Sequence, residues 1–393
     1  MNRLEVLFWL CAGIVFYSFV GYGLLLLIWA GIKQLFPPAA FVPTERFEPA
    51  VTLVIPCYNE AAILEEKIAN CRSLQYPDDK LTLIFITDGS TDQSVEIIEK
   101  HPEIRLLHLP ERKGKTAAEN RAMQFVQTPI VIFSDANALL NPEAIRQMVI
   151  HFADDRTGCV AGEKKIAVQR TANAGTAGEG IYWRYESWLK KLDSQCNSAV
   201  GAAGELVAFR TALYRPLPED TILDDFMQSM QIAAAGYRIA YEPKACATEK
   251  ASANVREELK RKIRIATGSW QAMKRLRGLL SWQKTPALCF QYFSHRILRW
   301  AVTPFLLIVL LLLNVFLWIE GIFLYELLLY LQVCFYLTAW MGYSLRNRQL
   351  SLQWFFVPYY FCVMHYAVLA GWIQYCTKKQ LDGIWEKANR SDY

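Results

Sequence analysis

Four aspartates, one asparagine and a Lys-Gly-Lys turn carry most of the chemistry this sequence can do. Asp88 closes an apolar run and opens Asp88-Gly89-Ser90-Thr91-Asp92. Asp135 and Asn137 follow another such run as a D-x-N pair, and Asp224 and Asp225 stand side by side before a helical pattern. Carboxylate and amide oxygens at these spacings suit a hard divalent cation, Mg2+ or Mn2+. Lys113-Gly114-Lys115 also precedes a helix, where a backbone turn and a cation suit a phosphate. Taken singly, each Asp is more simply a turn former or helix cap. Taken together, they imply a site for a sugar joined to a nucleotide diphosphate, with a metal between oxygen ligands.

Such a site needs strands that deliver these residues to one edge. From Val51 to about Tyr241, short β-branched runs alternate with amphipathic ones. Val51–Pro56, Leu81–Thr87, Ile104–Leu109 and Ile130–Ser134 read as strands, and Glu60–Ser73 and Lys115–Gln127 as helices. The strands are almost continuously apolar, as when helices cover both sheet faces. The pattern predicts an α/β fold with a doubly wound, mostly parallel sheet. In such sheets the ligand binds beyond the carboxyl ends of the strands.

The ends of the chain are of another kind. The 393 residues are 53% hydrophobic, and the excess collects outside the central domain. Leu4 to about Ile32 is long enough to span a bilayer, as are about Ile297–Ile319, Ile322–Tyr343 and Trp354–Cys376. The expected organisation is a membrane helix in 1–36, a linker in 37–50, a catalytic domain in 51–253, basic and interfacial helices in 254–300, membrane segments in 301–376 and a polar tail in 377–393. Thr285–Trp300, with His295, Arg296 and Arg299, reads as lying flat at the membrane surface. A cytosolic domain would put the tail outside, yet Lys378, Lys379, Lys387 and Arg390 favour the inside. The net charge of +5 is modest and forms no long patch with interleaved aromatics, so nucleic acid is not an expected partner. Membrane lipid is. Ten scattered cysteines without a C-x-x-C pair fit a reducing compartment.

The chain resembles glycosyltransferase family 2, in the membrane-bound bacterial branch of cellulose, hyaluronan and poly-N-acetylglucosamine synthases. The likeness covers about residues 48–270. It rests on Val54-Ile55-Pro56-Cys57-Tyr58-Asn59-Glu60, Asp88-Gly89-Ser90-Thr91-Asp92, Lys113-Gly114-Lys115, Asp135-Ala136-Asn137, Gly201-Ala202-Ala203-Gly204, Asp224-Asp225 and Arg261-Lys262-Ile263-Arg264. It implies a GT-A-like domain in the cytosol, anchored in the inner membrane. Pro56, Tyr58, Glu60 and Asp88 would hold base and ribose, with Lys115, Arg261 and Arg264 near the donor diphosphate. Asp135 and Asn137 would hold the metal. Asp225, beside Asp224, would be the base that activates the acceptor for inverting transfer.

Three positions depart from the family pattern. Asn137 replaces the second acid of D-x-D, and Asp224 replaces a Glu. The family's Q-x-x-R-W becomes Arg261-Lys262-Ile263-Arg264-Ile265, without its Trp. Trp270 downstream is a substitute or, more simply, an interfacial anchor. With Gly204, Trp270 and Trp183 are the acceptor candidates; Trp183 stands in an aromatic group that equally suits packing. Three readings follow. The first is a synthase extending an exported polysaccharide, with export-complex subunits as partners. The second transfers one sugar to a membrane lipid. The third is a non-catalytic subunit of an export complex.

Overall fold

The computed structural model describes residues 2–35, 47–167, 174–249, 255–283, 285–345 and 353–377. Most of the expected linker, the tail after 377 and its cations, and Arg346 and Arg348 lie outside these. Helix α1 is Arg3–Leu35. The central domain then runs β1 Val51–Cys57, α2 Ala61–Arg72, β2 Leu81–Asp88, α3 Ser94–Glu99, β3 Arg105–Leu109, α4 Lys115–Met123, β4 Ile130–Phe133, β5 Leu139–Leu140 and α5 Ala144–Val149. It continues with β6 Thr157–Ile166, α6 Ala174–Cys196, β7 Val207–Arg210, α7 Asp224–Ala234, β8 Arg238–Glu249 and α8 Val255–Arg275. Three further helices follow: α9 Pro286–Ile319, α10 Phe323–Leu345 and α11 Gln353–Thr377.

The eight strands form one sheet in the order β3-β2-β1-β4-β7-β6-β8-β5. Its first half is parallel as expected, with Val51 opposite Leu81 on one side and Ile130 on the other. Its second half is mixed: β7 runs antiparallel to β4 and β6, and β5 antiparallel to β8. Alternate residues of β1 face opposite cores. Leu53 and Ile55 pack with Leu64, Ile68 and Phe152, whereas Val54 packs with Phe133, Phe226 and Met230. This two-sided burial is why the strands carry few polar residues. Chain order reverses at β1, which lies between β2 and β4, so the loops after these three strands converge at one edge.

The four helices α1, α9, α10 and α11 are long and apolar enough to cross a membrane. Leu288 and Tyr292 of α9 are buried in the same core as Phe226 and Met230. Burying a large apolar side chain stabilises by roughly 1.5–3 kcal/mol, so α9 is built into the domain rather than tethered to it. This differs from the flat interfacial segment expected over 285–300. Its polar residues turn toward protein: Arg296 and Arg299 pair with Glu186 of α6 at 2.6 and 3.1 Å, and His295 lies 2.6 Å from Asp193. A buried counter-charge outcompetes a hydrated head group here. Close approach fixes the other contacts. A Cβ on Gly371 of α11 would stand 2.5 Å from that of Ala266 in α8, and one on Gly23 of α1 would stand 2.7 Å from the Trp188 ring.

Candidate active site

The loop after β1 and the loop after β2 are stitched together before they meet any ligand. Asn59 adopts φ +52, a left-handed conformation that Asn tolerates better than most residues. Its N–H donates to Ser90 Oγ at 3.2 Å, and its Oδ1 accepts from the Thr91 N–H at 2.8 Å. Asp92 accepts from the N–H groups of Ala61 and Ser94 at 3.0 Å each, so it fixes helix starts. Pro56 and Tyr58 are half-buried on this loop and Glu60 is buried at its end. The Arg112 guanidinium stands 3.7 Å from the Tyr58 ring, a cation–π contact.

Asp88 sits at the end of β2, as the sequence implies, but its carboxylate is engaged by backbone. It accepts from Lys113 N–H at 3.1 Å and from Gly114 N–H at 2.6 Å. Gly114, at φ +98, makes the turn that presents both donors and starts α4. Asp88 therefore holds the Lys113-Gly114-Lys115 turn in place, and Lys115 leaves this turn toward the carboxylates.

Lys115 is the centre of the charge cluster. Its Nζ donates to Asp135 Oδ1 at 2.9 Å and lies 3.6 Å from Asp224 and 3.7 Å from Glu119. Burial alone would pull this lysine down, but Asp135, Asp224 and Glu119 outweigh it and hold the ammonium well above its ordinary value. Glu119 is pushed well up by burial and by the charge of Asp224. Asp224 goes the other way: burial opposes ionisation, yet Lys115 draws it below the usual carboxylate value. Asp225 differs from its neighbour. Burial first, then the charge of Asp224, push its carboxyl up to about 7. That value suits a general base at neutral pH. The Phe226 N–H donates to Asp225 Oδ1 at 2.7 Å, orienting the group at the start of α7.

Gly204 is pressed against this pair. A Cβ there would lie 2.9 Å from Lys115 Nζ and 3.3 Å from Asp225 Oδ2. The residue expected at the acceptor thus faces the Lys115–Asp225 cluster. Burial draws the Arg264 guanidinium below its ordinary value, and the nearby charges of Asp224, Asp225 and Asp135 offset this only in part. Arg261, three residues earlier, makes a paired contact with Glu258, both bonds at 3.1 Å.

The metal expectation can be tested on the residues present. Among the described residues, no group of three His, Cys, Asp or Glu side chains is arranged to hold a metal ion by itself. Asp135 and Asn137 do, however, flank one short loop after β4. The Asn137 Oδ1 is buried and has no hydrogen-bond partner among the described residues. An orphaned amide oxygen beside a carboxylate fits a divalent cation whose remaining ligands come from a diphosphate.

Asp225 also faces a cavity of about 400 Å3 between the domain and the membrane helices. Trp183, Trp270 and Arg261 line it, together with Phe19 of α1, Arg299 of α9 and Phe361 of α11. The indole N–H of Trp270 is buried without a hydrogen-bond partner among the described residues. The structure therefore groups Trp183 and Trp270 with Asp225, and groups Lys115, Asp135, Asp224 and Arg264 on the other side of it.

Three residues escaped the sequence reading. Lys67 of α2 is fully buried, and its Nζ donates to Ser134 Oγ at 3.0 Å and to the Ala138 carbonyl. It thus clamps both ends of the Asp135–Asn137 loop. A lysine on the apolar side of α2 was the available signal. Glu119 lies one turn after Lys115, a spacing that was also legible. Lys190, buried on the cavity wall, gave no signal, because α6 reads as an ordinary amphipathic helix.

A mixed sheet with carboxylates at its strand ends, flanked by helices long and apolar enough to cross a membrane, is a GT-A-like fold. Residues 52–215 match the model of Glycosyl transferase family 2. It is 26% identical over 242 residues to poly-beta-1,6-N-acetyl-D-glucosamine synthase of Staphylococcus aureus strain COL, a match covering 60% of this chain and 58% of that protein. The Staphylococcus epidermidis synthase is 24% identical over 245 residues, covering 61% of this chain and 58% of its own length. Among solved structures, a mannosyltransferase from Pyrobaculum calidifontis, in complex with GDP-Man and Mn2+, superposes with a TM-score of 0.73 at 23% identity. That likeness covers 96% of this chain and all of the other, so the shared fold reaches nearly end to end.

Proposed function

We propose that the chain is an inverting glycosyltransferase that moves a sugar from a nucleotide-diphosphate donor, in the first instance UDP-linked, to an acceptor hydroxyl. One observation carries this reading. Asp225 stands both in the Lys115 cluster and on the wall of the cavity. The Asp225 carboxylate takes the proton of the acceptor hydroxyl as that oxygen attacks the anomeric carbon. Attack from the face opposite the diphosphate inverts the sugar. Lys115 and Arg264 hold the departing diphosphate by charge, and the Tyr58 loop holds the nucleotide. Asp135 and Asn137 would hold Mg2+ or Mn2+, which, when bound, neutralises charge on the diphosphate. The intact cluster speaks against a non-catalytic subunit.

Two acceptors remain in view. The staphylococcal relatives are polysaccharide synthases by name, which supports a growing polysaccharide. The cavity supports a membrane lipid, since it runs from Asp225 to Phe19 and Phe361 on the membrane helices. The domain faces the cytosol in this reading, at the inner membrane, where nucleotide sugars are available. All ten cysteines are free, which suits that compartment. The test is Asp225→Asn with purified protein in detergent. Sugar transfer should fall about 10²–10⁴-fold while nucleotide binding stays near wild type. Retained turnover would remove Asp225 as the base.

A further inference from the structure

The cavity that meets Asp225 contains a cation with no ion pair among the described residues. Lys190 of α6 is 6% exposed and lines the cavity, and it makes no hydrogen bond or ion pair among the described residues. Its polar surroundings are already committed. Glu186, one turn earlier, pairs with Arg296 at 2.6 Å, with Arg299 at 3.1 Å and with His295 at 3.3 Å. Glu205 is taken by Lys164. Lys262, also on the wall, has Glu258 at 3.4 Å. Lys190 is left with the face of Trp183 at 5.9 Å. Burial draws its ammonium below the ordinary lysine value, and the charge of Glu186 one turn earlier offsets this only in part.

Burying a charge is costly unless it is paired, so an anion entering the cavity gains by meeting this one. The rest of the wall says what arrives with it. Besides Lys190 the cavity is lined by Phe19, Val357, Phe361, Met364 and Val368, all on helices able to cross a membrane. Asp225 lines the same cavity. We infer that the cavity binds a lipid phosphate: a hydrocarbon chain along α1 and α11, a phosphate at Lys190, and a hydroxyl-bearing head group reaching Asp225. This names the acceptor class of the proposed transfer and takes its orientation from that reading. The phosphate subsite itself rests on Lys190 alone. Lysine serves phosphate as a point charge, and the neighbouring Trp183 walls it from water.

The test is binding to the full-length protein in amphipol, without catalysis. Dodecyl phosphate has the chain and the anion, dodecyl maltoside the chain alone, and glucose 1-phosphate the anion alone. Dodecyl phosphate should bind at least about tenfold tighter than either. Lys190→Met should lose about tenfold in dodecyl phosphate affinity, and Lys190→Arg should largely restore it. Binding of UDP or GDP reports that each variant is folded. If Lys190→Met does not fold, the three-ligand comparison on the wild type still decides. Equal binding of dodecyl phosphate and dodecyl maltoside would overturn the inference. So would glucose 1-phosphate binding as tightly as dodecyl phosphate, or a folded Lys190→Met with wild-type affinity. Failure of the base assignment reads differently: Asp225→Asn would keep turnover while dodecyl phosphate binding stood unchanged.

Discussion

At the proposed donor end, Asp88 closes β2, Lys115 opens α4 after the turn that follows β3, and Asp135 follows β4, each fixed by hydrogen bonds to its neighbours. At the acceptor end, the cavity walls come from α1, α6, α7, α8, α9 and α11, which are far apart in the chain. The donor end is polar and held by backbone hydrogen bonds. The acceptor end is aromatic and apolar, with buried ion pairs such as Glu186–Arg296. In the proposed reading, donor chemistry is set by the sheet, and acceptor choice by how the helices pack against it.

The largest expected effect at the donor end comes from Lys115→Met. It leaves Asp135, Asp224 and Glu119 without their cation. Breaking a buried pair typically costs about 3–5 kcal/mol, read as a lower midpoint of thermal unfolding. The unpaired carboxyls would have folded-state pKa values above their unfolded ones. Their penalty is therefore full at high pH and shrinks as pH falls and they protonate. A defect that grew toward low pH would contradict the cluster as described.

Lys67→Met should be milder and more selective. The loop that carries Asp135 and Asn137 would lose both of its clamps, while the side-chain volume is kept. The concentration of Mn2+ giving half-maximal transfer should rise about 10–100-fold, the usual effect of removing a group that orients metal ligands. An unchanged requirement would show that the loop holds itself. Gly204→Ala sharpens the comparison at the border of the two ends. The new methyl has to displace Lys115 or Asp225, and overpacking of this kind typically costs about 1–3 kcal/mol. It should appear in kcat more than in the donor KM. The smallest effect belongs to Arg112→Ala. It removes a cation–π contact worth about 0.5–1 kcal/mol at a partly exposed site. The donor KM should rise a few-fold, with kcat unchanged.

The same contrast decides what was legible in the sequence. Strand-end residues are read locally, because an apolar run that stops at an Asp fixes both the strand and the edge it faces. Asp88, Asp135 and the Asp224–Asp225 pair were placed this way. The strands β6, β7 and β8 were not foreseen. They pair partly antiparallel, and β8 is interrupted by Pro243, so they lack the clean β-α alternation of the first half. Thr285–Trp300 was misread as surface-lying because its cations find partners, Glu186 and Asp193, about 100 residues away. A sequence shows the charge of Arg296 but not the burial of Glu186. Lys190 was missed for the same reason. Its meaning depends on which helices enclose it.

The central claim is that Asp225 is the base, poised by burial and by Asp224. It is tested most directly by the pH dependence of kcat for transfer, measured for wild type and for Asp225→Asn at saturating donor and acceptor. A carboxyl pushed up to about 7 is protonated, and cannot accept a proton, below that pH. The wild-type rate should rise about tenfold per pH unit from about pH 5, then level off near about pH 7 to 8. The Asn variant should be slow throughout and lack that inflection. A wild-type profile that is flat over this range, or an Asn variant that keeps the same inflection, would contradict the account.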